Sequence, residues 1–89
     1  MKSRRLRRFL RDFESLPPEI KKKAKEKYKL FKVDPWHSSF ERKRMGGHGK
    51  IWEAHITEKY VFTFVTETIN GEEWYIFRRV GDHTVYNKP

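Results

Sequence analysis

Residues 60–80 read YVFTFVTETINGEEWYIFRRV, the stretch with the strongest structural signal in the chain. Residues 60–68 are almost entirely β-branched or aromatic, and residues 74–80 alternate apolar and polar side chains, as β-strands do. Between them lies Asn70-Gly71, a dipeptide that favours the tight turn of a β-hairpin. Residues 51–57 also alternate, so the pattern predicts three antiparallel strands in the second half of the chain.

The first half of the chain has helical periodicity instead. From Ser3, a residue type common at helix N-caps, apolar side chains recur at helical spacing as far as Leu16. Pro17-Pro18 ends this helix, and Pro18 also suits the first turn of a second helix that runs to about Val33. Asp34-Pro35 ends the second helix. The sequence therefore predicts an antiparallel pair of helices before the strands.

A chain of 89 residues supports one domain with a modest core, so residues 1–89 are predicted to form a single unit. The predicted fold class is α+β, with the N-terminal helical hairpin packed on a small twisted antiparallel sheet of three to four strands. The helix stripes and one sheet face must then share a core. Its predicted members are Phe9, Phe13, Leu16, Tyr28, Phe31, Trp52, Phe62 and Phe64.

Charge limits the classes of partner. The chain has 21 Lys and Arg against 12 Asp and Glu, a formal net charge of +9, which attracts polyanions. RNA, DNA and anionic membrane are the possible partners. A membrane role is the weakest of the three, because the apolar stripe of the first helix is needed to cover the sheet.

Several other classes of protein are disfavoured. The absence of cysteine removes disulfides and thiolate metal sites, and the four histidines lack metal-ligand spacing, so neither a metal nor another cofactor is expected. No segment resembles a signal peptide or a membrane span, and a cytoplasmic location is therefore expected.

The end of the last predicted strand carries the clearest chemical signal. Arg78 and Arg79 are followed within a few residues by His83 and Tyr86, which together offer guanidiniums, an imidazole and a phenol. Such groups bind phosphate and transfer protons beside it. Strict alternation would place the two arginines on opposite faces of the sheet, so only one of them is expected in the site.

RNA cleavage by the 2′-hydroxyl requires a base, an acid and cations that stabilise the charge on phosphorus, but no metal. His83 is the main candidate for proton transfer, and Glu53 or His55 on the first predicted strand is its candidate partner. A basic rim predicted to contact RNA phosphates comprises Lys43, Arg44 and Lys50. His83 and Tyr86 each have a structural interpretation as well. His83 could be a surface histidine of a turn, and Tyr86 could cap the edge of the core.

The chain resembles the RelE/ParE superfamily of toxins along nearly its whole length. The resemblance rests on the order of several short motifs rather than on one. They are Phe13 to Pro17, Phe31-Lys32-Val33-Asp34-Pro35-Trp36-His37-Ser38, Lys43-Arg44-Met45, Ile51-Trp52-Glu53-Ala54, and Val80-Gly81-Asp82-His83 with Tyr86.

The resemblance implies a toxin of a type II toxin–antitoxin system that cleaves messenger RNA on the ribosome and is neutralised by a cognate antitoxin protein. Ribonuclease members usually carry an arginine directly after the aromatic residue that Tyr60 resembles, whereas Val61 stands there in this chain. This departure favours the alternative, a non-enzymatic ParE-like inhibitor of DNA gyrase or a toxin-derived binding module without catalysis.

Overall fold

The computed structural model describes residues 1–89 and contains a five-stranded mixed sheet with two helices. The strands are β1 (Lys2–Arg5), β2 (Lys43–Arg44), β3 (Trp52–His55), β4 (Val61–Ile69) and β5 (Glu72–Gly81), in the spatial order β1-β5-β4-β3-β2. The helices are α1 (Arg7–Glu14) and α2 (Pro18–Val33), and short 3₁₀ helices cover Ser38–Phe40 and His83–Asn87.

The predicted hairpin is confirmed as β4 and β5, which pair antiparallel from Val61 opposite Gly81 to Ile69 opposite Glu72. Asn70 and Gly71 connect them with φ angles of 51° and 80°. Both angles are positive, as a two-residue turn that matches the right-handed twist of the strands requires. Strand β3 pairs antiparallel with the other edge of β4, so the three predicted strands are adjacent.

Helix α2 begins at Pro18 and ends at Val33, as predicted. Pro18 occupies the first turn, where its missing N–H needs no partner, and Glu19 places a negative charge beside the positive end of the helix dipole. The buried side chains of this helix are Ala24 and Phe31. Its remaining surface is largely lysine and faces solvent.

The prediction that Ser3 caps the first helix was wrong. Residues Lys2–Arg5 form β1, which pairs in parallel with β5 and places Ser3 opposite Tyr75. Helix α1 begins only at Arg7 and is capped by Leu6 without a side-chain hydrogen bond. Together with β2, which falls in the predicted connector, β1 raises the strand number to five and makes the sheet mixed.

The helices and the sheet share one aromatic core. Phe31 of α2 is fully buried, and its ring lies edge-on to five other rings at centroid distances of 5.1–5.5 Å. Of the predicted core, Phe9, Leu16, Phe31, Phe62 and Phe64 are buried, whereas Phe13, Tyr28 and Trp52 are half-buried against it. Neither helix combines the length and apolarity needed to span a membrane.

Candidate functional site

The sheet face that points away from the core carries the polar groups of interest. Because side chains alternate along a strand, Ala54 and Phe62 face the core while Glu53, His55 and Thr63 point to the opposite side, called here the distal face. Glu53 and His55 lie on β3, and their register partners on β4 are Thr63 and Val61. The distal face therefore brings the predicted carboxylate and imidazole of β3 into one row.

Glu53 is the central group of this face. Its side chain is 4% exposed, and its Oε1 atom lies 3.6 Å from Nζ of Lys43 and 3.4 Å from Nε2 of His55. Oε1 nonetheless has no hydrogen-bond partner. Lys43 is placed by its pairing with Glu53 across β2 and β3. A buried carboxylate with an unused acceptor atom can accept a proton from a ligand, or a hydrogen bond from a ligand's hydroxyl group.

Tyr86 reaches the same carboxylate from the C-terminal 3₁₀ helix. Burial and a hydrogen bond to Glu53 raise the pKa of Tyr86 to about 12. The phenol therefore keeps its proton at neutral pH and acts as a hydrogen-bond donor rather than as a base. The His83 ring lies 5.1 Å from the Tyr86 ring and is exposed to solvent. The predicted imidazole and phenol are thus neighbours, and the phenol lies beside Glu53.

The turn that presents His83 is held by Asp82. The Asp82 carboxylate accepts hydrogen bonds from the backbone N–H and the hydroxyl of Thr84, at 2.9 and 2.7 Å. These bonds lower the pKa of Asp82. This local N-cap begins the short helix and fixes the position of His83 at its first residue.

An open pocket of about 260 Å³ adjoins Glu53 and Tyr86. His48, which sequence analysis did not select, lines this pocket, and so do Lys43, Arg44, Met45 and Gly46. His48 follows two glycines in a loop, and its sequence context gives no sign that the loop turns towards β3. We call Glu53, Tyr86, Lys43 and His48, with the adjacent His55 and His83, the Glu53 cluster.

The two arginines of β5 have different partners. Arg78 is the extra residue of a β-bulge, because Thr63 pairs with Arg79 while Phe64 pairs with Phe77. The bulge interrupts the strict alternation on which the opposite-face argument depended. Arg78 donates to the Pro89 carbonyl, which also accepts from Thr63, the residue opposite Glu53. Arg78 therefore lies on the side of the Glu53 cluster.

Arg79 is held by helix α1 instead. Its guanidinium donates two hydrogen bonds to the Asp12 carboxylate, which also accepts the backbone N–H of Val80. Asp12 raises the pKa of Arg79. A further bond from Arg79 reaches the Lys88 carbonyl. With its donors occupied in this way, Arg79 ties α1 to β5 and is less available to a ligand than Arg78.

Asp12→Asn is expected to lower the free energy of unfolding by about 1–3 kcal/mol, since the half-buried Arg79 would lose its charged partner. Denaturant unfolding measures this loss. The matched control is Glu14→Gln on the same helix, whose ion pair with Lys21 at 3.8 Å is largely exposed and should contribute less than about 1 kcal/mol. Equal effects of the two changes would contradict the role assigned to Asp12.

The predicted basic rim divides between two openings. Arg44 lies at the Glu53 pocket and also lines a larger groove of about 540 Å³, where Lys50 and Arg78 are found. The groove contains one acidic residue, Glu67. Its three cations lie next to the Glu53 cluster. A polyanion bound at the pocket could therefore continue along the groove. No group of three His, Cys, Asp or Glu side chains is arranged to hold a metal ion.

Val61 is fully buried on the distal face, beside His55 and Gly81. Val85 of the C-terminal 3₁₀ helix packs over this point, because a Cβ atom on Gly81 would lie 3.0 Å from its side chain. Position 61, where ribonuclease members of the family that this chain resembles carry an arginine, is therefore apolar and covered by Val85. In this chain, the cations near the site come from Lys43, Arg44 and Arg78.

The raised pKa of Tyr86 gives a pH-dependence that can be measured. The ordinary tyrosine value is 10.0 and the value in the folded protein is about 12, so the folded state holds this proton more tightly. The associated stabilisation is complete below pH 10 and is lost as the pH rises towards 12. Ultraviolet titration should show one phenol ionising near pH 12 that Tyr86→Phe removes. If the phenol that Tyr86→Phe removes ionised at the ordinary tyrosine pKa instead, this result would contradict the contact with Glu53.

No family profile and no curated protein matches this sequence. Solved structures do match it. The YoeB/ParE toxin from Agrobacterium tumefaciens aligns with a TM-score of 0.71 at 16% identity, over 93% of this chain and 99% of that one. A chain of the E. coli DinJ-YafQ toxin-antitoxin complex aligns with a TM-score of 0.73 at 15% identity, over 94% of this chain and 93% of that one.

A third similar structure is the RelB-RelE antitoxin-toxin complex from Methanococcus jannaschii, with a TM-score of 0.69 and 18% identity over 96% of this chain and 98% of that one. At such identities the similarity concerns the fold. Two helices packed on one sheet are what the sequence resemblance predicted, although the sheet has five strands rather than three to four. The chain therefore has the fold of the RelE/ParE toxins.

Proposed function

We propose that this chain is the toxin of a type II toxin–antitoxin system and that it cleaves messenger RNA on the ribosome. The Glu53 cluster is the observation that carries the proposal. A buried carboxylate and a protonated phenol line an open pocket whose rim is basic, and the exposed His83 imidazole lies beside the phenol. The net charge of +9 and the RelE-like fold support the same conclusion.

The proposed reaction needs no group beyond these side chains. The 2′-hydroxyl oxygen attacks the adjacent phosphorus, and its proton passes to the Glu53 carboxylate. The bond from phosphorus to the 5′-oxygen breaks, and His83 supplies the proton that this oxygen takes. The products are a 2′,3′-cyclic phosphate and a 5′-hydroxyl end, so atoms and charge balance. Each proton transfer typically contributes on the order of 10²–10⁴ in rate.

The surrounding groups position and stabilise the reacting phosphate. Lys43, 3.6 Å from Glu53, and Arg78 are the cations placed to balance the charge that develops on phosphorus. Tyr86 remains protonated and donates a hydrogen bond, which orients the carboxylate or the substrate. His55 lies between Glu53 and Glu41, with its Nδ1 atom 3.7 Å from the latter, and holds Glu53 in place. Arg44 and Lys50 contact flanking phosphates.

The proposed partners are the ribosome with its messenger RNA and a cognate antitoxin protein, all in the cytoplasm. Two of the similar structures are complexes of a toxin with its antitoxin. The large positive charge of this chain suits a partner segment rich in acidic residues. A small protein encoded beside this one that binds it tightly would identify the antitoxin.

The buried Val61 favours a second function, inhibition of DNA gyrase by protein contact without catalysis. One pair of assays separates the two. Primer extension on ribosome-bound messenger RNA incubated with the purified chain should show new 5′ ends, and a gyrase supercoiling assay at the same concentration should show no inhibition. Gyrase inhibition without RNA cleavage would reverse the choice.

A further inference from the structure

Trp36 is the most exposed tryptophan of the chain and the proposed reaction does not use it. Its side chain is 64% exposed, whereas Trp52 and Trp74 are half-buried. Trp36 follows helix α2 in the connection to the 3₁₀ helix Ser38–Phe40. A large apolar ring left in solvent lacks the free energy that its burial would contribute, so a ring fixed in this position is a candidate contact for a ligand.

One face of the Trp36 ring is held by an arginine. The Cζ atom of Arg42 lies 3.6 Å from the ring centroid, which places the guanidinium directly against that face. The same guanidinium lies 4.6 Å from Trp52 and within 5.7 Å of Phe64 and Tyr75, and it donates to the Pro35 carbonyl. The Trp52 ring meets Trp36 edge-on at 5.8 Å. Trp36 is therefore fixed on one face and open on the other.

The open ring stands beside the predicted path of RNA. The Cζ atom of Arg44 lies 5.0 Å from the centroid of the Trp52 ring, which contacts Trp36. Arg44 also lines both the Glu53 pocket and the basic groove. Lys43, the residue before Arg44 on the two-residue edge strand β2, points to Glu53. A strand that crosses this edge can therefore bind at the Glu53 cluster and at the aromatic assembly at once.

We propose that Trp36 is a stacking platform for an unpaired base of a single-stranded RNA, with Arg44 contacting a phosphate between that base and the Glu53 cluster. The inference rests on the proposed action on RNA and adds a binding site to it. A preformed aromatic face next to cations is the arrangement by which proteins bind single strands without reading their sequence. The cations Arg42, against the Trp36 ring, and Arg44, over the adjoining Trp52 ring, favour a polyanion over a protein as the ligand.

The test uses a short fluorescein-labelled 2′-O-methyl oligoadenylate, which has no free 2′-hydroxyl and so reports binding independently of cleavage. Fluorescence anisotropy should show Trp36→Ala binding about 5- to 150-fold more weakly than the parent, the range expected for loss of one stacked base. Trp36→Tyr should retain most of the affinity. Val33→Ala, which removes another exposed apolar side chain nearby, should leave it unchanged.

An oligomer of the same length without bases separates stacking from charge. The parent and Trp36→Ala should bind it equally, because only the phosphates remain to be recognised. Thermal melting of each variant, with Trp36→Tyr as the one that keeps Arg42 covered, checks that the fold is intact. Unchanged affinity of Trp36→Ala for the oligoadenylate would overturn the proposal, whatever the cleavage assay shows. Loss of affinity in a chain that never cleaves RNA would support the platform and reject the proposed reaction.

Discussion

Phe31→Ala is expected to lower the free energy of unfolding by about 3–5 kcal/mol, the largest loss from any single truncation in this chain. Phe31 has no exposed surface, and its ring is surrounded edge-on by those of Phe40, Phe62, Phe64, Tyr75 and Phe77. Removing it leaves a cavity that rings from three different elements cannot fill without moving. Denaturant unfolding followed by circular dichroism measures the loss.

The matched control is Phe13→Ala, which removes the same atoms from a half-buried position of α1. Its cost should be clearly smaller, because part of the ring already contacts water. Small domains have only about 5–15 kcal/mol of stability, so Phe31→Leu serves as a milder variant if the alanine protein does not fold. Equal losses at positions 31 and 13 would mean that Phe31 is not the centre of the core.

The elements that sequence analysis predicted well are those whose periodicity is set by the core. Helix α2 has proline at each boundary, and its buried Ala24 and Phe31 are about two turns apart on one stripe. Strands β4 and β5 combine aromatic and β-branched residues with Asn70-Gly71 at the turn. Local propensity and core packing agree in these segments, so either alone predicts the structure.

The elements that were missed are those whose structure depends on distant partners. Strand β1 consists of Lys2, Ser3, Arg4 and Arg5, none of which is apolar, and it forms because β5 offers a free edge more than sixty residues along the chain. Strand β2 has two basic residues and is defined only by its pairing with β3. Neither has a pattern of its own, since their side chains cover little of the core.

The same contrast between local pattern and distant partners applies to the residues of the candidate site. Glu53 and His55 were placed on one face by the alternation of a single strand, which is a local property. The approach of Tyr86 to Glu53, the arrival of His48 at the pocket and the capture of Arg79 by Asp12 each depend on how loops and helices return to the sheet. The bulge at Arg78 was also invisible, because its neighbours keep an ordinary strand composition.

His83→Ala is expected to slow cleavage of ribosome-bound messenger RNA by about 10²–10⁴-fold in single-turnover experiments, if His83 gives the proton to the leaving oxygen. The side chain is exposed and lies at the start of a 3₁₀ helix on the rigid end of β5, so its removal should leave stability nearly unchanged. The matched control is His37→Ala, an exposed histidine bonded to Ser39 away from the Glu53 cluster, which should cleave at the parent's rate.

The pH profile distinguishes a proton donor from a residue that merely shapes the site. With Glu53 as base and His83 as acid, the parent's rate should rise and then fall with increasing pH, because the base must be ionised and the acid protonated. His83→Ala should lose the fall on the alkaline side, and Glu53→Gln should lose the rise on the acidic side. The double variant should be scarcely slower than either single one, since the two groups act in one step.

Equal rates for the parent and His83→Ala would remove His83 from the mechanism. A parent that does not cleave at all would make the covered Val61 the feature that decides for gyrase or another protein as the target.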